Sequence, residues 1–193
     1  MNRFVTMLAA AVVFAIAGCR GDETSGDGTS VSASSGSVPF DRAFIDAMVP
    51  HHESAVAMAR EAKEAGLAQP DLVEIADDII ATQQEEIDQM LGWREEWFGA
   101  GPRGSEMQAL AVLGLSAEDA GMMAHGGDIS SADDVDLSFA EMMIEHHEGA
   151  IRMAELAPTR AGHDEVRQLA EAITAAQARE IEIMKPHAQG AHH

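Results

Sequence analysis

A pair of adjacent histidines, preceded by methionine one helical turn earlier and followed by another about two turns later, occurs twice in this chain. Residues 48–59 read MVPHHESAVAMA and residues 143–154 read MIEHHEGAIRMA. Thioether sulfur is a soft ligand that suits Cu(I), and imidazole accepts Cu(I) or Cu(II). Hard cations such as Ca²⁺ or Mg²⁺ want several oxygens instead. Zinc could bind through His and Glu but leaves the methionines unexplained. Di-iron sites in helical bundles place a Glu three residues before each ligating His. Here Met48 and Met143 stand in that place, so a soft ligand replaces a hard one. A cysteine-free Met/His set also suits an oxidising compartment, where thiols are lost.

These residues need helices to hold them, and the repeat supplies four. FDRAFIDAMVPHHESAVAMA (40–59) aligns with VDLSFAEMMIEHHEGAIRMA (135–154), and IADDIIATQQEEIDQM (75–90) aligns with LAEAITAAQAREIEIM (169–184). Each repeat reads as helix, short Gly-bearing turn (Gly66; Gly162) and helix. One hairpin cannot cover its own apolar face, whereas two can cover each other, so the pattern predicts an all-α four-helix bundle of two αα-hairpins. Asp41 and Asp136 are placed to cap the first helix of each repeat. The expected spans are 40–97 and 135–187. A connection, 98–134, carries two short helical candidates, Ser105–Leu113 and Ser116–Met123, the second opening on a Ser116/Asp119 capping box.

At about 100° per residue, His51 and His52 fall about 60° and about 40° to either side of Met48, the centre of the apolar arc, while Glu53 turns outward. In the second helix Gln83 and Met90 lie near the arc's centre and Glu86 inside its edge. A buried carboxylate is costly without a partner, so inward Glu86 and Glu180 call for a cation or a histidine. The candidate metal ligands are Met48, His51, His52, Met58, Glu86 and Met90, with Met143, His146, His147, Met153, Glu180 and Met184 from the second repeat. Alone, an inward Met is ordinarily core filler and an inward His a hydrogen-bonded core residue. The complete set, present twice, favours metal. Met122, Met123 and His125 on the connection, and His187, His192 and His193 in the tail, are either auxiliary sites or ordinary surface. Pro50 is expected to kink the first helix beside its histidines and make the half-sites unequal.

The chain has 193 residues, enough for one domain with a well-buried core. Its net charge of −21 argues against nucleic acid or an anionic membrane surface as partner. The first residues, MNRFVTMLAAAVVFAIAGC, have the layout of a secretory signal peptide and are too short for a comfortable membrane span. Ile16-Ala17-Gly18-Cys19 looks like a bacterial lipobox, which implies cleavage after residue 18 and lipid on Cys19, the chain's one cysteine. A Gly/Ser/Thr/Asp-rich stretch follows and reads as a flexible tether, giving a leader (1–18), a lipidated linker (19–38) and a bundle domain (39–193). The destination is then the outer face of the cell membrane, or the periplasm or outer membrane of a two-membrane bacterium.

The doubled M..HHE.A..MA followed by Q..EI..M resembles the domain-of-unknown-function 305 family of bacterial secreted proteins; Trp93 after Met90 also fits. The resemblance spans most of residues 40–184. It implies a ferritin-like bundle and, where members bind copper, points to His51, His52, His146, His147 and the flanking methionines. The reading that follows is a lipid-anchored protein that buffers, sequesters or passes on copper, with zinc or iron less fitting. Metal ions are its first partners; a copper-handling protein or a second copy of the chain would be the macromolecular ones. No nucleophile or substrate pocket is evident. The rival readings are a ferritin-like metal-dependent oxidase and a non-metal interaction module whose histidines pack or sense pH.

Overall fold

The computed structural model describes residues 38–122 and 129–189. Cys19, Met123, His125, His192 and His193 lie outside the described residues, as do the leader and nearly all of the linker. The helices are α1 (Phe40–Ala65), α2 (Pro70–Phe98), α3 (Glu106–Leu113), α4 (Val135–Ala154), α5 (Ala157–Arg160) and α6 (Asp164–Ala188). No helix among the described residues is long and apolar enough to cross a membrane. The all-α bundle of two helical hairpins is as the repeat predicted: α1 packs on α2, α4 on α6, and the hairpins meet through α1 and α4.

Local chemistry explains the ends of these helices. α1 stops at Gly66, whose φ of 105° is open to glycine at no steric cost. Pro70 opens α2 at a position where its missing N–H costs nothing. Ser105 caps α3 and Asp134 caps α4 through their side chains. α1 runs unbroken through Pro50. The turn of the second repeat departs from expectation, because the four-residue α5, with Pro158 in its first turn, precedes Gly162.

Asp41 and Asp136 do not cap their own helices. Asp41 accepts from the backbone N–H groups of Gly162 and His163, and from His163 Nδ1 at 2.5 Å. Asp136 accepts from the N–H groups of Ala68 and Gln69. Each carboxylate therefore reaches across to satisfy the turn of the other hairpin, a reciprocal pair of latches that the spacing within one helix could not reveal. The His163 ring also stacks on Trp97, their centres 3.8 Å apart.

The connection is anchored by a buried ion pair. Arg94 Nε donates to Asp46 Oδ1 at 2.6 Å, and its other nitrogens donate to the carbonyls of Gly99, Gly101 and Pro102. The second helical candidate does not form. Ser116 and Asp119 make their reciprocal capping bonds, but the chain turns at Gly121, with φ of 66°, and lies against α4.

The apolar core is divided in two. One cluster takes the apolar residues between Ala43 and Val49 of α1, Ile87 and Met90 of α2, Ala150, Met153 and Ala154 of α4, and the apolar residues between Val166 and Ile173 of α6. The other takes Ala55 to Ala62 of α1, Leu72 to Ile79 of α2, Phe139 to Met143 of α4 and Ile181 and Met184 of α6. Opposite halves of α1 and α4 thus lie together, so the two helices cross antiparallel. All four long helices turn polar between the two clusters, and that level holds the repeated histidines.

Candidate metal centre

The polar layer consists of His51 and His52 from α1, Gln83 and Glu86 from α2, His146 and His147 from α4, and Gln177 and Glu180 from α6. The histidines are buried, none more than 4% exposed. His51 and His146 meet at the helix crossing with ring centres 3.7 Å apart. His52 Nε2 donates to Glu86 Oε2 at 2.8 Å, and His147 Nε2 donates to Glu180 Oε2 at 2.6 Å. The inward carboxylates thus have histidine partners. His51 Nε2 donates to the Ala120 carbonyl at 3.0 Å.

These bonds decide which nitrogens remain. A carbonyl or carboxylate oxygen only accepts, so Nε2 of His51, His52 and His147 carries a proton, and wherever such a ring is neutral its Nδ1 holds the lone pair. Those three Nδ1 atoms are buried without a partner, as are both ring nitrogens of His146 and the amide oxygens of Gln83 and Gln177. A buried polar group left unsatisfied costs about 1–3 kcal/mol. A set of them at one level of a core calls for an explanation in function.

Burial pushes the His51 imidazole well below its usual pKa, with the neighbouring His146, His52 and His147 adding to the fall and the Ala120 hydrogen bond opposing it. His146 is pulled down to about 3, by burial first and then by His147 and His52. Both rings are therefore neutral at physiological pH, the form that binds a metal.

The methionines flank this layer on both sides. Met48, Met90 and Met153 belong to one core cluster, and Met143 and Met184 to the other, with half-buried Met58 packed against the second. Each cluster therefore takes two methionines from one repeat and one from the other. Met48, Met90, Met143, Met153 and Met184 are fully buried. Among the described residues, no group of three or more His, Cys, Asp or Glu is arranged to hold a metal ion. A metal here must draw on sulfur or on a shift of the rings. The donor set fits a soft, low-coordinate cation on that basis.

A groove of about 460 Å³ between α2 and α6 is lined by Gln83, Glu86, Gln177 and Glu180 among others, and opens toward the polar layer. On the α1–α4 side the layer is covered by the turn that carries Ala120. The docking of that turn on α4 is not legible in the turn's own residues. The available signal was Gly149, a glycine inside a helix where it costs about 1 kcal/mol relative to Ala, at the place Ser54 occupies in the first repeat.

Of the auxiliary candidates, Met122 is half-buried and packs against the first cluster. His187 does not belong to a loose tail: it is buried in α6, and its Nε2 donates to Asp71 Oδ2 at 2.8 Å.

A comparison with curated proteins matched none. Solved structures match over most of the chain. CopM in the Cu(I)-bound form is 30% identical with a TM-score of 0.63, over 79% of this chain and 98% of that one. CopM in an Ag-bound form obtained by soaking is 31% identical with a TM-score of 0.61, over 79% and 97%. A DUF305 protein from Streptomyces coelicolor is 26% identical with a TM-score of 0.64, over 76% and 90%. The profile described as "Domain of unknown function (DUF305)" matches residues 17–94 and 136–191, more than half of the chain, and the protein belongs to that family.

Proposed function

We propose that this protein is an extracytoplasmic, lipid-anchored copper-binding protein that holds, buffers or passes on copper through its polar layer and the methionines beside it. One observation carries this reading: four buried histidines at one level, three with Nδ1 lacking a partner because an oxygen accepts from Nε2, and two of the four, His51 and His146, held neutral by burial. Glu86 and Glu180 then act by orienting His52 and His147 rather than as ligands, an arrangement common behind metal-binding histidines. Sulfur comes from Met48, Met90 and Met153 on one side and from Met58, Met143 and Met184 on the other. That combination selects Cu(I) over zinc or iron. CopM, solved in Cu(I)-, Cu(II)- and Ag-bound forms, supports the same choice of metal. The groove between α2 and α6 gives the ion a route past acidic side chains.

The anchor rests on the lipobox-like Ile16-Ala17-Gly18-Cys19 and the polar stretch 20–37 after it. Lipid on Cys19 would tie the bundle domain, 39–193, to an outward-facing membrane surface.

The test is metal uptake by the purified soluble domain with Cu(I), Cu(II), Zn(II) and Fe(II) added separately. It is repeated with Met48, His51, Met143 and His146 all changed to Leu. The expected result is copper bound by the native domain and lost in the variant. Unchanged copper stoichiometry in the variant would remove the core site. Iron binding with oxygen consumption would indicate an oxidase, and no metal binding a non-metal interaction module.

A further inference from the structure

The α1–α4 side of the polar layer is closed by backbone. The turn Ser116–Met122 lies so close to α4 that a Cβ on Gly149 would fall on the Ala120 carbonyl group, and one on Gly121 would come within 2.7 Å of the Glu145 carbonyl oxygen. Ala120 itself is fully buried. The outer end of the turn is fastened by the Ser116–Asp119 bonds and by Arg152, which donates to the Asp119 carbonyl. From there the Ala120 carbonyl accepts a hydrogen bond from His51 Nε2 at 3.0 Å. His146, 3.7 Å away ring to ring, has no such acceptor, and neither of its nitrogens has a partner.

A histidine's free nitrogen is set by the hydrogen bond its other nitrogen makes. Glu86 and Glu180 fill that role for His52 and His147. For His51 the acceptor is a main-chain oxygen from a segment 69 residues away. We propose that the Ser116–Met122 turn is a positioning device: through the Ala120 carbonyl it fixes the His51 tautomer that offers Nδ1 to a soft univalent cation, and Gly149 is the residue that lets it lie there. This rests on the copper reading above, since the cation is what Nδ1 serves. Of the two repeats only the second carries glycine at this place, the first having Ser54, and the close backbone approach of the turn is to α4.

The experiment begins with metal-free ¹⁵N-labelled protein, in which two-bond ¹H–¹⁵N correlations report which nitrogen of His51 is protonated. Cu(I) and Ag(I) affinities are then measured by competition. Two variants are compared with the native chain. Gly149→Ala pushes the turn off α4. Ser116→Ala with Asp119→Ala loosens it from its exposed side and substitutes no residue of α1 or α4. The expected result is His51 protonated on Nε2 in the native protein and a mixed tautomer in both variants, with Cu(I) and Ag(I) bound about 10- to 100-fold more weakly. His52 and His147 should keep their native signals, which separates loss of the turn from loss of the fold. A native His51 protonated on Nδ1 would overturn the proposal. So would mixed tautomers in folded variants that bind both ions as tightly as the native chain. If the native protein binds neither ion, the copper reading falls and the proposed service to a cation with it, while the metal-free spectrum still shows whether the turn sets the tautomer.

Discussion

Acidification of the metal-free protein should destabilise it through His51 and His146 specifically. Both rings are held neutral by burial, His146 with a pKa of about 3 against an unperturbed 6.5. In the unfolded chain each takes up a proton as the pH falls through about 6.5, and in the folded chain neither does until far lower. The unfolded state then binds more protons, so stability is fully present above pH ~6.5 and is lost as pH falls from there toward ~3. Between pH ~7.5 and ~5.0 His146 should cost about 2 kcal/mol, and His51, shifted the same way by burial, adds to the loss. Urea unfolding followed by circular dichroism, with a chelator present, measures this. The comparison is with a His51→Gln/His146→Gln variant, in which contributions from titrating groups distant from the polar layer cancel in the difference. The variant should lose at least about 2 kcal/mol less over the same pH range. An equal acid loss in both proteins would refute the neutral, desolvated state assigned to these rings.

Other parts of the structure yield sharper local expectations. Glu86→Gln or Glu180→Gln should weaken copper binding about 10- to 100-fold while leaving the helical content unchanged, as checked by competition titration and circular dichroism. Asp41→Ala removes the acceptor for two backbone N–H groups at the opposite turn and should cost about 1–3 kcal/mol in urea unfolding. Asp46→Ala leaves Arg94 buried without its carboxylate and should cost about 3–5 kcal/mol by the same measurement. Met143→Leu with Met184→Leu nearly conserves volume, so each change should cost less than about 1.5 kcal/mol of stability. The same pair should weaken Cu(I) binding much more than Cu(II) binding, because only the soft sulfur has been removed.

Periodicity carried the bundle because each helix segregates apolar from polar residues in one dimension, and the repeat then dictates two hairpins. Met48, His51 and His52 could be turned inward on a wheel for the same reason. What connects different helices was out of reach. Nothing within α1 says that Asp41 satisfies the turn before α6, or that Asp136 satisfies the one before α2. The Glu86–His52 and Glu180–His147 bonds lay half within reach, since an inward carboxylate announces that it needs a partner without naming it. The methionine grouping was harder. Met153 sits in a cluster with Met48 and Met90, not with Met143 of its own repeat, because α4 crosses α1 antiparallel. The Ser116–Met122 segment looked helical because it opens on a sound capping box. Backbone docking at Gly121 and Gly149 overrode that local preference.

The proposed site stands or falls on whether copper is held by sulfur and imidazole together. X-ray absorption at the copper edge, on protein loaded with one equivalent of Cu(I), tests this most directly. Sulfur and nitrogen scatterers are expected in the same shell, the sulfur component disappearing when Met48, Met90, Met143, Met153 and Met184 are changed to Leu. A first shell of nitrogen and oxygen alone, unchanged by those substitutions, would contradict it.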